Sequence, residues 1–282
     1  MEAPSSLHRR PALPRRLLAE FLGTALLVAV VVGSGVAAQR LSPDDVGLQL
    51  LENSLTTALA LAVLILMLGP VSGAHFNPVV SLADWFVGRR SRTGLPFREA
   101  GPYVAAQITG GVGGTLLASV MFDAAPAFSG NERATGGHLV AEVVATAGLV
   151  LLIFALARTS TPAVMAAAVG AYIGAAYWFT SSTSFANPAV TVARMFTDTF
   201  AGIAPASVAP FVLAQVVGAA VGVGLLLALY PSARDAAGDV VVPTRPETTP
   251  LRGIPCTLSP SEEATPVSPP RCAPANSTPP SR

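Results

Sequence analysis

Six stretches of about 20 apolar residues dominate this sequence, near 17–38, 48–69, 102–122, 138–157, 162–181 and 206–230. The hydrocarbon core of a bilayer is ~30 Å thick, and a helix of about 20 apolar residues crosses it. Lipid satisfies no open backbone group, so each stretch must close its own hydrogen bonds as a helix. Charged residues make up 12% of the chain and hydrophobic residues 51%, against roughly 25% charged in a soluble domain. The fold class that follows is an all-α, multi-pass membrane protein whose first partner is the lipid bilayer. The formal net charge is +1, and no basic patch is interleaved with aromatics, so no nucleic-acid partner is implied.

The basic segment 1–16 precedes the first stretch as it would in a secretory leader. The run Leu17 to Ala38 is longer, however, than the ~7–15 residues of a leader's apolar core. Its "AEFLGTALLV" also returns as "AEVVATAGLV" at 141–150. A segment that recurs inside the body is structure, so the run reads as a first membrane helix.

The recurrence extends along the chain. Glu20 matches Glu142, Asn77-Pro78 matches Asn187-Pro188, and Gln107 with Gly110 and Gly114 matches Gln215 with Gly218 and Gly222. Each half, about 17–122 and 138–230, holds three crossings and one short apolar segment carrying Asn-Pro. Three is odd, so the second half enters from the opposite side, an inverted repeat of the kind transport proteins use. Arg9, Arg10, Arg15, Arg16, Arg89, Arg90, Arg92, Arg98, Arg158 and Arg234 then share one side, and Arg40, Arg133 and Arg194 the other. The excess of arginine places both termini in the cytoplasm, with 1–16 as a cytoplasmic segment in a plasma (inner) membrane. Residues 231–282 hold 12 of the 25 prolines and are expected to form a disordered cytoplasmic tail. Cys256 and Cys272 lie in it, and they suggest no disulfide framework.

Asparagine is a strong N-cap, and proline suits the first helical position, where its missing N–H costs nothing. Each Asn-Pro therefore starts a helix, about 77–87 and 187–196, roughly 15 Å long at 1.5 Å per residue. That is half a bilayer. Inverted symmetry brings the two N-termini together near the midplane, each carrying roughly half a positive charge that disfavours cations.

With these residues in view, the chain resembles the major intrinsic proteins, the aquaporins and aquaglyceroporins. "SGAHFNPVV", "SFANPAV", both "AE" starts and both "AQ…G" segments carry the resemblance over about 17–230. It implies six tilted helices, two re-entrant half-helices, one pore per subunit and a homotetramer. Positive half-helix ends that exclude protons and cations are an established feature of aquaporin-type pores. The pore motifs are Asn77, Pro78, Val79 and Asn187, Pro188, Ala189. Val79 replaces the commoner alanine and is expected to pack against the facing half-helix. By the same resemblance Glu20 and Glu142 are expected to accept hydrogen bonds from the re-entrant loops, or else to reach the interface from near the ends of their spans, with Gln107 and Gln215 as further braces or as interhelical glue. His75 is a candidate for the cytoplasmic pore mouth or a loop brace, and Arg194 for the outer vestibule or an interfacial anchor.

In most of the family an arginine stands three residues past the second motif's asparagine. Here that residue is Val190. Family spacing places the rest of the selectivity filter at Thr57, Ala175 and Ser184. Four small side chains predict a wide opening with few fixed donors, unless the register of the fifth crossing is shifted and Tyr172 or Tyr177 fills the gap. The pattern is similar to bacterial members that pass neutral metalloid hydroxides such as arsenous acid besides glycerol-like polyols.

The expected function is a passive channel for water and small uncharged solutes. Two alternatives stand beside it: a coupled secondary transporter, which needs ionisable groups near the midplane, and a non-conducting scaffold on the same fold. Nothing in the chain resembles catalytic machinery: His8, His75 and His138 share no ligand spacing, and "GGVGG" is helix packing rather than a nucleotide loop. No metal or cofactor is expected.

Overall fold

The structure, a computed structural model, describes residues 10–91, 93–157 and 160–230. The expected tail with its two cysteines, His8, Arg9, Arg92, Arg158 and Arg234 lie outside the described residues.

Among the described residues, six helices are long and apolar enough to cross a membrane: α1 (Leu13–Leu41), α2 (Val46–Ser72), α4 (Phe97–Met121), α5 (Gly136–Leu156), α6 (Pro162–Phe179) and α8 (Pro205–Leu229). Between them sit two short ones, α3 (Pro78–Gly88) and α7 (Pro188–Ala193), the latter followed by a 3-10 turn, Arg194–Phe196. The eight fall in the predicted order. Helix α1 starts at Leu13 rather than Leu17, with Pro14 in its first turn. The extra turn is tolerated because buried Arg16 pairs with Glu99 at 2.8 Å.

The two halves pack alike. Helix α1 lies against α4 and α2, and α5 correspondingly against α8 and α6. Glycines set these crossings. A β-carbon on Gly218 or Gly222 would stand 2.6 Å from the carbonyl oxygen of Val143 or Ala147. In the other half Gly110 and Gly114 meet the carbonyls of Phe21 and Ala25 in the same way. Small residues that admit a neighbouring backbone are how helices associate in lipid, where burial of apolar area offers no driving force. Helices α2 and α6 join the halves, with Gly170 and Gly174 against Ala58.

Candidate functional site

Both short helices begin as their sequences dictate. Asn77 caps α3, its Oδ1 accepting from Val79 N–H at 3.1 Å, and Pro78 follows at the first position. Asn187 caps α7, accepting from Ala189 N–H at 2.9 Å and Val190 N–H at 3.3 Å, with Pro188 next. Each asparagine also reaches across. Asn77 Nδ2 donates to the Ala186 carbonyl and Asn187 Nδ2 to the Phe76 carbonyl, both at 2.8 Å. The two half-helix N-termini are thus tied crosswise. An amide carries two N–H donors, so each asparagine retains one, and both residues border the central cavity.

The loops entering these caps are strained in register. Ala74 and Phe76 have φ of 49°, and Ser184 and Ala186 have φ of 49° and 45°. A left-handed conformation is uncommon for residues with a side chain and costs on the order of 1–3 kcal/mol each. The resulting backbone offers two consecutive N–H groups to one carboxylate. Glu20 accepts from His75 N–H at 3.0 Å and Phe76 N–H at 2.7 Å. Glu142 accepts from Phe185 N–H at 2.9 Å and Ala186 N–H at 2.8 Å. Both glutamates are fully buried. Gln107 donates to Glu20 at 2.8 Å and to Ser81 Oγ at 2.9 Å. Gln215 donates to Glu142 at 2.7 Å and to Thr191 Oγ1 at 2.8 Å. Each glutamine therefore links a loop's carboxylate to the half-helix that follows.

A cavity lies between the halves, bordered by both strained loops. Of the four residues expected in the filter, Thr57, Ser184 and Val190 border it and Ala175 does not. Ala175 is exposed on the outside of α6. Tyr177 borders the cavity instead, its hydroxyl 3.3 Å from Thr57 Oγ1. The shift is two residues, and at ~100° per residue it moves a side chain to the opposite face of the helix. The opening is therefore not ringed by four small side chains, and Tyr172 instead bonds the Ala145 carbonyl at 3.0 Å.

Arg194 has two readings, outer vestibule or interfacial anchor, and its burial separates them. Only 2% of it is exposed, so it is no interfacial anchor. It borders the cavity one helical turn beyond Val190, with its guanidinium 3.6 Å from the centroid of the Phe185 ring and Nε donating to the Ala201 carbonyl. Phe185 borders the cavity too and was not anticipated, although it sits inside "SFANP". His75 combines both readings: it borders the cavity, and its Nδ1 is 3.0 Å from Ser81 Oγ, with Nε2 3.8 Å from Asp84 Oδ2. Ala189 is fully buried. Val79 is buried and borders a separate groove between α3 and α8.

A cavity closed within one chain by two inverted halves is the plan of a membrane channel, and the chain belongs to the major intrinsic protein family, whose pattern matches residues 8–184. Individual relatives bear this out. The chain is 47% identical over 239 residues to aquaglyceroporin AqpS of Rhizobium meliloti strain 1021, covering 84% of this chain and 98% of that relative. It is 34% identical over 177 residues to aquaporin Z of Photorhabdus laumondii, covering 55% and 71%. In three dimensions it is similar to the X-ray structure of the aquaglyceroporin from Plasmodium falciparum, with a TM-score of 0.56, 21% identity, and coverage of 78% and 96%.

Proposed function

We propose that the protein is a passive channel for water and small uncharged polyols such as glycerol, with neutral metalloid hydroxides such as arsenous acid in the same size class. The observation that carries this reading is the mixed polar and apolar lining of the cavity. Thr57, Tyr177 and Ser184 offer hydroxyls and Arg194 a guanidinium, while Val190 and Phe185 offer apolar surface. A polyol likewise has one hydroxyl face and one CH face. Selectivity among neutral solutes rests on diameter and on such lining groups. Among the described residues no carboxylate borders the cavity. A cation leaving water there finds two half-helix N-termini and Arg194, all of the wrong sign. Thr57, Tyr177, Ser184, Val190 and Arg194 form the filter in this reading, the Asn-Pro pairs the midplane contact, and Glu20, Glu142, Gln107 and Gln215 the braces. The protein works as a homotetramer in the plasma membrane with both termini cytoplasmic.

A coupled transporter is the reading to separate. Radiolabelled glycerol uptake into proteoliposomes is expected to equilibrate at the same rate with and without imposed proton or sodium gradients. Accumulation above the external concentration under either gradient would replace the channel with a coupled carrier.

A further inference from the structure

The inverted repeat supplies an internal control for packing, and one site fails it. In the second half, α7 sits tightly on α4. A β-carbon on Gly111 would stand 3.1 Å from Ala193 Cβ and 3.2 Å from the Ala189 carbonyl oxygen, and Thr115 Oγ1 donates to the Ala193 carbonyl at 2.9 Å. The matching site of the first half is α3 on α8. There the repeat exchanges Gly111 for Ala219, Thr115 for Val223 and Ala189 for Val79. Each exchange adds bulk or removes the hydroxyl, and the helices stand apart. A groove opens between them, lined by apolar side chains including Val79, Ala83, Trp85, Ala219, Ala220 and Val223.

The groove follows α3 from its capped start toward its last turn. The helix has 11 residues, about 16 Å at 1.5 Å per residue and close to half of a ~30 Å hydrocarbon core. Phe86 then leads into a smaller pocket bordered by Arg89 and Arg90. Both arginines are exposed, and Arg89 lies 3.9 Å from the centroid of the Phe86 ring. Among the described residues neither has an acidic partner. We propose that this groove is a binding site for one anionic glycerophospholipid, with an acyl chain between α3 and α8 and the phosphate at Arg89 and Arg90. The length of the groove fits one leaflet, and the charge at its end fits the headgroup.

The chain has two tryptophans, and Trp85 lines the groove. In Trp178→Phe protein, Trp85 reports alone. The experiment reconstitutes the full chain in phosphatidylcholine and titrates lipid with brominated acyl chains, which quenches indole on contact. Brominated phosphatidylglycerol is expected to quench Trp85 at roughly tenfold lower mole fraction than brominated phosphatidylcholine, and Arg89→Gln with Arg90→Gln is expected to abolish that preference. High salt, which shortens the screening length to ~3 Å at 1 M, is expected to weaken the preference with both arginines intact, a check that needs no refolded variant. Equal quenching by the two lipids would reduce the groove to ordinary boundary lipid. A preference unmoved by both the double variant and salt would remove the arginines from the site. No quenching by either lipid would mean that protein covers the groove, and each of these results overturns the proposal.

Discussion

At the scale of single residues, the lining of the cavity is decided by direction more than by identity. Ala175 and Tyr177 are two positions apart on α6, yet one is exposed on the outside and the other borders the cavity. Tyr177→Ala is expected to raise glycerol permeability several-fold while water permeability rises less, because a polyol meets the removed bulk first. Ala175→Phe is expected to leave both within about twofold of the unaltered protein. Osmotic permeability measured for the pair of variants checks the assignment, and the opposite ranking would restore Ala175 to the filter. The tyrosine's phase was readable in principle. Ala166, Val169, Ile173 and Tyr177 follow a three-four spacing, and all four are buried. Counting back from Asn187 instead crosses the loop 180–187, where Thr183, Ser184 and Ala186 are left-handed, and a two-residue error there is invisible to composition. Arg194 was hard to read for a related reason. The chain tightens to a 3-10 turn at that residue, so the ~100° step of an α-helix no longer sets its direction.

At the scale of elements, a short half-helix does not hold itself. Helix α7 has six residues before the 3-10 turn, well under the ~12–15 that an isolated helix needs in water. Its position comes from partners: the Asn187 cap, the bond to the Phe76 carbonyl, and the path from Glu142 through Gln215 to Thr191. Glu142→Ala leaves the Phe185 and Ala186 N–H groups without their acceptor. Two orphaned buried donors cost about 1–3 kcal/mol each. The variant is expected to unfold at markedly lower temperature in detergent and to lose solute flux, as measured by thermal unfolding and vesicle assay on one preparation. An unchanged unfolding temperature would contradict the bracing role. These elements were legible because they recur: Glu20 with Glu142, Gln107 with Gln215, and the Asn-Pro pairs in register. A buried carboxylate in an apolar run is costly and calls for a partner, and a matched pair of them in two halves says the partner is repeated as well. The unequal fit of α3 on α8 and α7 on α4 was not legible, because it depends on how Val79, Ala219 and Val223 meet in space.

At the scale of the whole molecule, the inverted repeat turns three local features into one passage. The two halves pack alike, their strained loops meet at one cavity, and that cavity belongs to one chain. The helix ends repel cations, and the mixed wall of hydroxyls, guanidinium and apolar side chains admits a neutral solute with both kinds of surface. The central claim is therefore solute passage, and stopped-flow light scattering on proteoliposomes tests it most directly. Under an inward glycerol gradient the vesicles are expected to shrink quickly as water leaves and then to re-swell faster than protein-free vesicles as glycerol follows. Fast shrinkage with re-swelling at the protein-free rate would show a pore that passes water and rejects polyols, contradicting the filter proposed here.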